Sequence, residues 1–121
     1  MRVINRNGKL SLKNNGELEL FFLGTGTPFT KSNFNNNFII IKGETHLLVD
    51  FGINAPIALE KVAGLKPQEI NLFLPTHSHS DHVGGIENLI LNKRYLSGPG
   101  EHKIKTIITD KYKDILWNKS L

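Results

Sequence analysis

Cysteine is absent from the 121-residue chain, which excludes disulfide bonds, thiolate metal ligands and a thiol nucleophile. Any bound metal ion must therefore be held by imidazole nitrogens and carboxylate oxygens. Long hydrophobic runs are also absent, since stretches such as residues 20–23 are far too short to cross a bilayer. The N-terminus lacks the apolar segment of a signal peptide. We therefore expect a cytoplasmic protein without a membrane partner.

The remaining composition is that of an ordinary globular domain, with 39% hydrophobic and 21% charged residues. The length leaves room for one domain. The 15 lysine and arginine residues outnumber the 11 acidic residues, which gives a formal net charge of +4. A basic balance favours anionic partners such as nucleic acid, nucleotides or phosphate esters. The basic residues are scattered, however, and a mildly basic surface without such a partner has the same composition.

The first third of the chain predicts β structure. Asn-Gly pairs at residues 7–8 and 15–16 are typical of hairpin turns, in which both central residues take positive φ angles. Residues 9–13 between them alternate polar and apolar side chains, as a half-buried strand does. Residues 17–23 begin with the same alternation and then become continuously apolar. That change predicts a strand that passes from an exposed edge into the core.

Strands and helices alternate in the rest of the chain, which predicts a mixed sheet with helices packed on it, in an α+β or α/β fold. Helices are predicted over residues 55–63, 85–96 and 110–118, the first capped by Asn54. Further strands are predicted over residues 38–41, 46–50, 71–74 and 103–109. In this interpretation residues 1–17 are a β-hairpin extension and residues 18–121 are the core.

A histidine-rich segment, residues 75–82, follows the predicted strand at 71–74, and we call it the metal loop. Within six positions it holds four possible metal ligands: His77, His79, Asp81 and His82. In an extended segment the residues at 77, 79 and 81 share one face, and His82 approaches from another direction. Imidazole and carboxylate suit zinc, with manganese or iron as alternatives. Such an ion lowers the pKa of a bound water to roughly 7, and Asp81 is the candidate catalytic residue that orients this water.

The metal loop resembles the His-x-His-x-Asp-His hallmark of the metallo-β-lactamase superfamily, because it reads His77-Ser78-His79-Ser80-Asp81-His82. The resemblance implies an αββα fold in which His77 and His79 hold a first zinc ion, while Asp81 and His82 hold a second. Residues 22–28 resemble the opening of the ribonuclease Z branch and related phosphodiesterases. Asp50 stands in a segment that resembles the Asp-x-Gly step of the superfamily, which implies that it supports the metal loop through hydrogen bonds.

The same resemblance implies a second half-domain that supplies a further histidine, a bridging aspartate and a final histidine. After the metal loop this chain offers only His102, Asp110 and Asp114, and we interpret His102 as a surface residue in a turn. We therefore expect the chain to be the N-terminal half of a longer domain. It would be completed by a C-terminal half or by a second chain, including a second copy in a homodimer.

The function that these expectations imply is that of a metal-dependent hydrolase. The favoured activity is that of a phosphodiesterase acting on RNA, DNA or a cyclic nucleotide through a zinc-activated hydroxide. Hydrolysis of a lactone, a thioester or a β-lactam by the same superfamily is the alternative. A non-catalytic module with a structural metal is the alternative from a different class of protein.

Three further segments have two interpretations each. Residues 24–31 form either an ordinary turn or a rim loop near the metal, and we prefer the turn. The asparagine-rich residues 33–37 predict a solvated turn more readily than a loop that contacts the substrate. Tyr112 and Trp117 are expected in the core, although exposed apolar side chains there would instead mark a docking surface.

Overall fold

A computed structural model describes residues 8–120 of the chain. It contains one mixed sheet with the order β1-β2-β3-β4-β5. The first three strands pair antiparallel, whereas β3, β4 and β5 run parallel to one another. The mixed sheet is the one predicted from the sequence. Its strands are β1 (Glu19–Phe22), β2 (Phe38–Lys42), β3 (Thr45–Val49), β4 (Leu72–Leu74) and β5 (Lys105–Thr106).

Helices connect and follow the parallel strands. They are α1 (Ala55–Ala63), α2 (Ser80–Val83), α3 (Ile86–Leu96) and α4 (Asp110–Ile115), with a 3-10 turn at Pro67–Glu69 and a π-helical turn at Leu116–Ser120. Helix α1 has the predicted bounds, and Asn54 stands at its N-cap as predicted. The Asn54 side chain makes no capping hydrogen bond, however, and its oxygen accepts from the Asn35 amide at 3.1 Å. No helix in the described part of the chain is both long and apolar enough to span a membrane.

The predicted hairpin extension is wrong for the residues that the structure describes, while residues 1–7 lie outside them. Residues 8–18 contain no strand. The Leu10 amide donates to the Ala63 carbonyl at 2.7 Å, at the C-terminal end of α1, and the Leu10 side chain is fully buried. The side chain of Asn14 accepts from the Gly43 amide at 2.7 Å, in the turn between β2 and β3. The alternating leucines therefore face the core without pairing with a neighbouring strand.

The C-terminal part also departs from the prediction. The strand predicted over residues 103–109 is reduced to the two residues of β5, and the predicted final helix divides into α4 and the π-helical turn. Tyr112 is partly buried and packs against the core, as expected. Trp117 is 70% exposed, so its assignment to the core is wrong. It borders an apolar groove with Ile90 and Leu91 of α3.

The two faces of the sheet have different surroundings. On one face Ile39, Leu48 and Phe73 are paired across β2, β3 and β4, and each is at most 2% exposed. The opposite face, which we call the open face, is also apolar but only partly covered. Directly paired residues give it two rows of side chains: Leu20, Ile40 and Leu47, and Phe22, Phe38, Val49 and Leu74. Leu20 and Phe22 are 52% and 44% exposed. An apolar sheet face normally packs against another layer.

A buried polar cluster lies at the edge of the sheet where β3 and β4 begin. The Nε2 atom of His46 accepts from the Asn71 amide at 3.1 Å. The ammonium of Lys93, buried on α3, donates to the Asn71 side-chain oxygen at 2.6 Å and to the Gln68 carbonyl at 2.9 Å. Burial first, and the charge of Lys93 second, lower the pKa of His46 below its ordinary value of 6.5. Folding therefore favours the neutral form of the His46 ring.

We expect His46 to make folding sensitive to acid. Because its pKa is lower in the folded state, its contribution to stability is complete above pH 6.5 and is lost as the pH falls below that value. Denaturant unfolding of the metal-free protein between pH 7.5 and pH 5 should show this loss as a falling free energy of unfolding. The His46→Gln variant should show a shallower fall, because its amide oxygen still accepts from Asn71 but does not titrate. The exposed His102→Gln variant serves as the control, and an unchanged slope in His46→Gln would contradict the assignment.

Candidate metal centre

The metal loop begins where β4 ends, beside the end of β3. Because β3 and β4 are parallel neighbours, their C-terminal ends lie at the same edge of the sheet. The loop stays extended only as far as His79, whose carbonyl accepts from the amides of His82 and Val83 at 2.9 Å and so starts α2. The predicted common face of residues 77, 79 and 81 is therefore wrong for Asp81, which stands on the helix together with His82.

Asp50 follows β3 directly and reaches into the metal loop. Its backbone has a φ angle of 60°, a left-handed conformation that aspartate tolerates better than most residues. Its carboxylate is buried and accepts three hydrogen bonds. One oxygen accepts from the Thr76 amide at 2.7 Å, and the other accepts from the Thr76 hydroxyl at 2.7 Å and from His82 Nδ1 at 2.6 Å. Asp50 thus fixes both the start of the metal loop and one of its histidine rings.

These bonds determine the tautomers of two histidines. The Thr76 hydroxyl gives its proton to Asp50, so it can only accept at its contact with His77 Nδ1, 3.0 Å away. His77 Nδ1 therefore carries a proton, and Nε2 keeps its lone pair. His82 Nδ1 likewise donates to Asp50, which leaves a lone pair on its Nε2 in the neutral ring. In the neutral rings both Nε2 atoms thus carry the lone pair that a metal ion binds.

The four predicted ligands come together as two pairs. His77 Nε2 lies 3.1 Å from His79 Nδ1, and His82 Nε2 lies 3.2 Å from the Asp81 carboxylate. A tetrahedral zinc ion with bonds of about 2.0–2.1 Å separates two ligand atoms by roughly 3.3–3.4 Å, so either pair fits one ion with a small adjustment. Within residues 8–120, no three His, Asp or Glu side chains already converge on one such point.

The Asp81–His82 contact is the more informative of the two pairs. Asp81 is buried, and its carboxylate faces a histidine nitrogen that has a lone pair when the ring is neutral. Two electron pairs that face each other at this distance need a proton or a cation between them. The arrangement therefore fits a metal ion, although it is also satisfied by a protonated imidazole.

The backbone of residues 51–53 lies directly against α2. The Phe51 amide donates to the His82 carbonyl at 2.7 Å, and the Ile53 amide donates to the Ser80 carbonyl at 2.9 Å. Gly52 stands between them, and a Cβ atom at this position would lie 2.1 Å from the Asp81 carbonyl oxygen. The closeness of the two backbones therefore requires glycine.

Sequence reasoning missed two residues that contact this region, Asn37 and Tyr112. The prediction of a solvated turn over residues 33–37 is wrong for Asn35 and Asn37, which are buried, whereas Asn33 and Asn36 are exposed. The Asn37 side chain bonds to the backbone of both Gly52 and Asp81. The Ser78 hydroxyl of the metal loop donates to the Tyr112 hydroxyl at 3.1 Å. A single sequence holds no signal that separates a buried, fully bonded asparagine from one in an exposed turn. His102 is exposed, as predicted.

Comparison with solved structures shows the fold. The short form of human tRNase Z aligns with a TM-score of 0.64 and 24% identity over 81% of this chain and 38% of that chain. The metallo-β-lactamase fold protein YhfI from Bacillus subtilis aligns with a TM-score of 0.61 and 23% identity over 74% of this chain and 36% of that chain. The chain therefore has a metallo-β-lactamase-like α+β fold, as its metal loop predicted.

Comparison with protein families is more specific. The model of the family described as anti-Pycsar protein Apyc1 matches residues 18–121. The anti-Pycsar protein Apyc1 of Paenibacillus sp. (strain J14) is 41% identical over 104 residues, which are 86% of this chain and 41% of that protein. The protein of the same name from Bacillus phage vB_BsuM-Goe3 is 32% identical over 85% of this chain and 39% of its own length. The chain thus spans about two fifths of these curated relatives, and it belongs to the anti-Pycsar protein Apyc1 family.

Proposed function

We propose that the protein is a metal-dependent phosphodiesterase. The observation that carries this proposal is the orientation of two histidines from one buried carboxylate, because Asp50 bonds directly to His82 and reaches His77 through the Thr76 hydroxyl. In the neutral rings, the Nε2 lone pair of each histidine lies beside a second potential ligand, which is His79 for His77 and Asp81 for His82. Histidines that merely satisfied local hydrogen bonds would not need to be held in a metal-binding tautomer.

In this proposal His77 and His79 hold one zinc ion, and Asp81 and His82 hold a second, with manganese or iron as alternatives. When bound, the ions supply Lewis acidity and lower the pKa of a water molecule to about 7. Each pair offers two protein ligands, whereas catalytic zinc commonly has three. The remaining ligands would come from a further part of the protein or from a second chain.

The residues of the described chain have separate tasks in the proposed reaction. Asp50 keeps the rings of His77 and His82 from turning, so that their nitrogens are preorganised. Asp81 presents a buried carboxylate that can accept a hydrogen bond from the attacking water and orient it toward phosphorus. Attack by the water would form a new P–O bond and break the bond to the leaving oxygen, with one proton lost by the water and one taken up by the leaving oxygen, so that one ester of the phosphodiester opens.

Among RNA, DNA and cyclic nucleotides, we favour a cyclic nucleotide as the substrate. The anti-Pycsar name of the family indicates that class of molecule. The net charge of +4 suits an anionic substrate of any size. A long nucleic acid would need a continuous basic track, whereas the lysines of this chain are scattered along its sequence.

The partner that completes the site is proposed to cover the open face of the sheet. Two apolar rows cross that face, and Leu20 and Phe22 are half exposed on it. A second sheet packed face to face, about 10 Å away, would bury both rows and form the inner two layers of the αββα arrangement. A layer that extended to the strand edge where Asp50 and the metal loop lie would be placed to add ligands.

The proposal is tested by assaying the full-length protein with zinc against cyclic mononucleotides, bis(p-nitrophenyl) phosphate, nitrocefin and a homoserine lactone. We expect hydrolysis of the phosphodiesters, its loss on chelation, and a decrease of at least about 100-fold in His77→Ala, because loss of a ligand should exceed the loss of an outer hydrogen bond. The exposed His102→Ala variant is the control. Activity on nitrocefin or the lactone alone would replace the phosphodiesterase assignment. Tight metal binding without turnover would favour a structural module.

A further inference from the structure

The contact between residues 51–53 and α2 leaves two backbone groups without a partner in either segment. The Phe51 and Ile53 amides donate to the His82 and Ser80 carbonyls, but the Gly52 amide and the Asp81 carbonyl between them make no backbone hydrogen bond across this contact. The Asp81 carbonyl cannot be satisfied within the helix either, because the Gly85 amide, four residues on, donates to Phe51 instead. An unpaired buried backbone group destabilises a fold, so both groups need a partner from another segment.

One side chain satisfies both groups. The Asn37 carboxamide oxygen accepts from the Gly52 amide at 2.9 Å, and its nitrogen donates to the Asp81 carbonyl at 3.0 Å. The same nitrogen also donates to the Asn36 carbonyl at 2.9 Å. Asn37 is only 1% exposed, so water does not compete for these bonds. A carboxamide is required here, because the site needs an acceptor and a donor at the end of one short side chain.

We propose that Asn37 is a positioning residue for the Asp81–His82 metal pair, an inference that rests on the metal site proposed above. Its carboxamide sets the distance between α2 and the segment that follows β3. Its nitrogen donates directly to the Asp81 carbonyl. Loss of Asn37 would therefore displace Asp81, which provides one ligand of the pair, and His82, which follows it in the chain and provides the other. Displacement of a metal ligand lowers the affinity for the metal, because coordination distances allow little variation.

The effect falls mainly on one of the two pairs, although the His79 carbonyl also accepts from the His82 and Val83 amides of α2. His77 and His79 precede α2, and their part of the loop is held by other groups, namely the bonds of Thr76 to Asp50 and of Ser78 to Tyr112. No described bond joins the Asn37 side chain to that part of the loop. Loss of Asn37 should therefore weaken the second metal equivalent and leave the first nearly unchanged.

The test is a Co²⁺ titration of the full-length protein, followed by visible absorption, with metal-free unfolding measured in parallel. The Asn37→Asp variant keeps the shape and the acceptor for Gly52 but loses the donor to Asp81, whereas Asn37→Ala loses both. We expect a second equivalent that binds about 10–100-fold more weakly in either variant. Asn36→Ala is the matched control, because Asn36 is the same type of residue next to Asn37 in the chain and its side chain is exposed. Hydrogen exchange of the Gly52 amide should accelerate in Asn37→Ala and stay slow in Asn37→Asp.

The outcomes separate this inference from the proposed function. Weakening of the second equivalent alone supports the positioning role, since general destabilisation would not select one pair. Equal weakening of both equivalents, or none in Asn37→Asp, would overturn the inference and leave the metal site intact. If the wild type bound no Co²⁺, the proposed function itself would fail. Should Asn37→Ala not fold, the isosteric Asn37→Asp variant still decides the question.

Discussion

Replacement of Asp50 by asparagine is expected to weaken both metal equivalents, by about 10–100-fold each. One carboxylate oxygen accepts from both the Thr76 hydroxyl and His82 Nδ1. The NH₂ group of an asparagine at that place would face the Thr76 hydroxyl and His82 Nδ1, which are both donors. His82 would therefore lose its fixed tautomer, and Thr76 would no longer orient His77. Asparagine is the appropriate substitution because it tolerates the φ angle of 60°, whereas alanine would add backbone strain of roughly 1–2 kcal/mol.

The same Co²⁺ titration measures this prediction, with the exposed Asp114→Asn variant as a control that removes an identical charge. Asp50→Asn and Asn37→Asp differ in their expected patterns, because Asp50 reaches a ligand in each pair and Asn37 reaches only one. Wild-type affinity for both equivalents in Asp50→Asn would show that the hydrogen bonds to Thr76 and His82 serve folding alone.

Replacement of Gly52 by alanine is expected to destabilise the fold by about 3 kcal/mol or more, at the upper end of overpacking effects. The new Cβ atom would lie 2.1 Å from the Asp81 carbonyl oxygen. That oxygen belongs to a backbone that is bonded on both sides, through Ser80 and His82, so it cannot move aside cheaply. Any relief would separate α2 from the end of β3 and thus disturb the metal loop as well.

Denaturant unfolding of the metal-free protein measures this loss. The control is Gly98→Ala, because a Cβ atom there has only the Glu101 carboxylate nearby, at 3.8 Å. We expect that control to unfold like the wild type. A Gly52→Ala protein of wild-type stability would mean that the two backbones separate readily, and the rigid positioning inferred for Asp81 would then be wrong.

The sequence alone predicted the parts of the molecule in which local pattern and tertiary structure agree. The bounds of α1 were correct, since Pro56 stands in its first turn and Gly64 takes the left-handed conformation beyond its end. The buried strands β2, β3 and β4 follow from their continuous apolar runs. The cluster of four candidate ligands was evident from residue type and spacing.

The errors arose where a residue's partner lies far away in the chain. Asparagine is a common helix-capping residue, but the side-chain oxygen of Asn54 bonds to the amide of Asn35, nineteen positions earlier. Asparagine is also common in turns, yet the Asn37 side chain forms hydrogen bonds with Gly52 and Asp81. Tryptophan is usually largely buried, but Trp117 lies at the surface. Propensity describes the local chain, so it cannot anticipate such bonds.

The position of Leu10 affects where the domain can be cut. Similarity to the family begins at residue 18, which makes that residue an attractive starting point for a shortened protein. Leu10, however, fills a place in the hydrophobic core, and its amide closes the last turn of α1 through the Ala63 carbonyl. A truncation at residue 18 would therefore create a cavity in the core beside that helix and leave the Ala63 carbonyl without its hydrogen bond. An expression boundary chosen upstream of Gly8 avoids both defects.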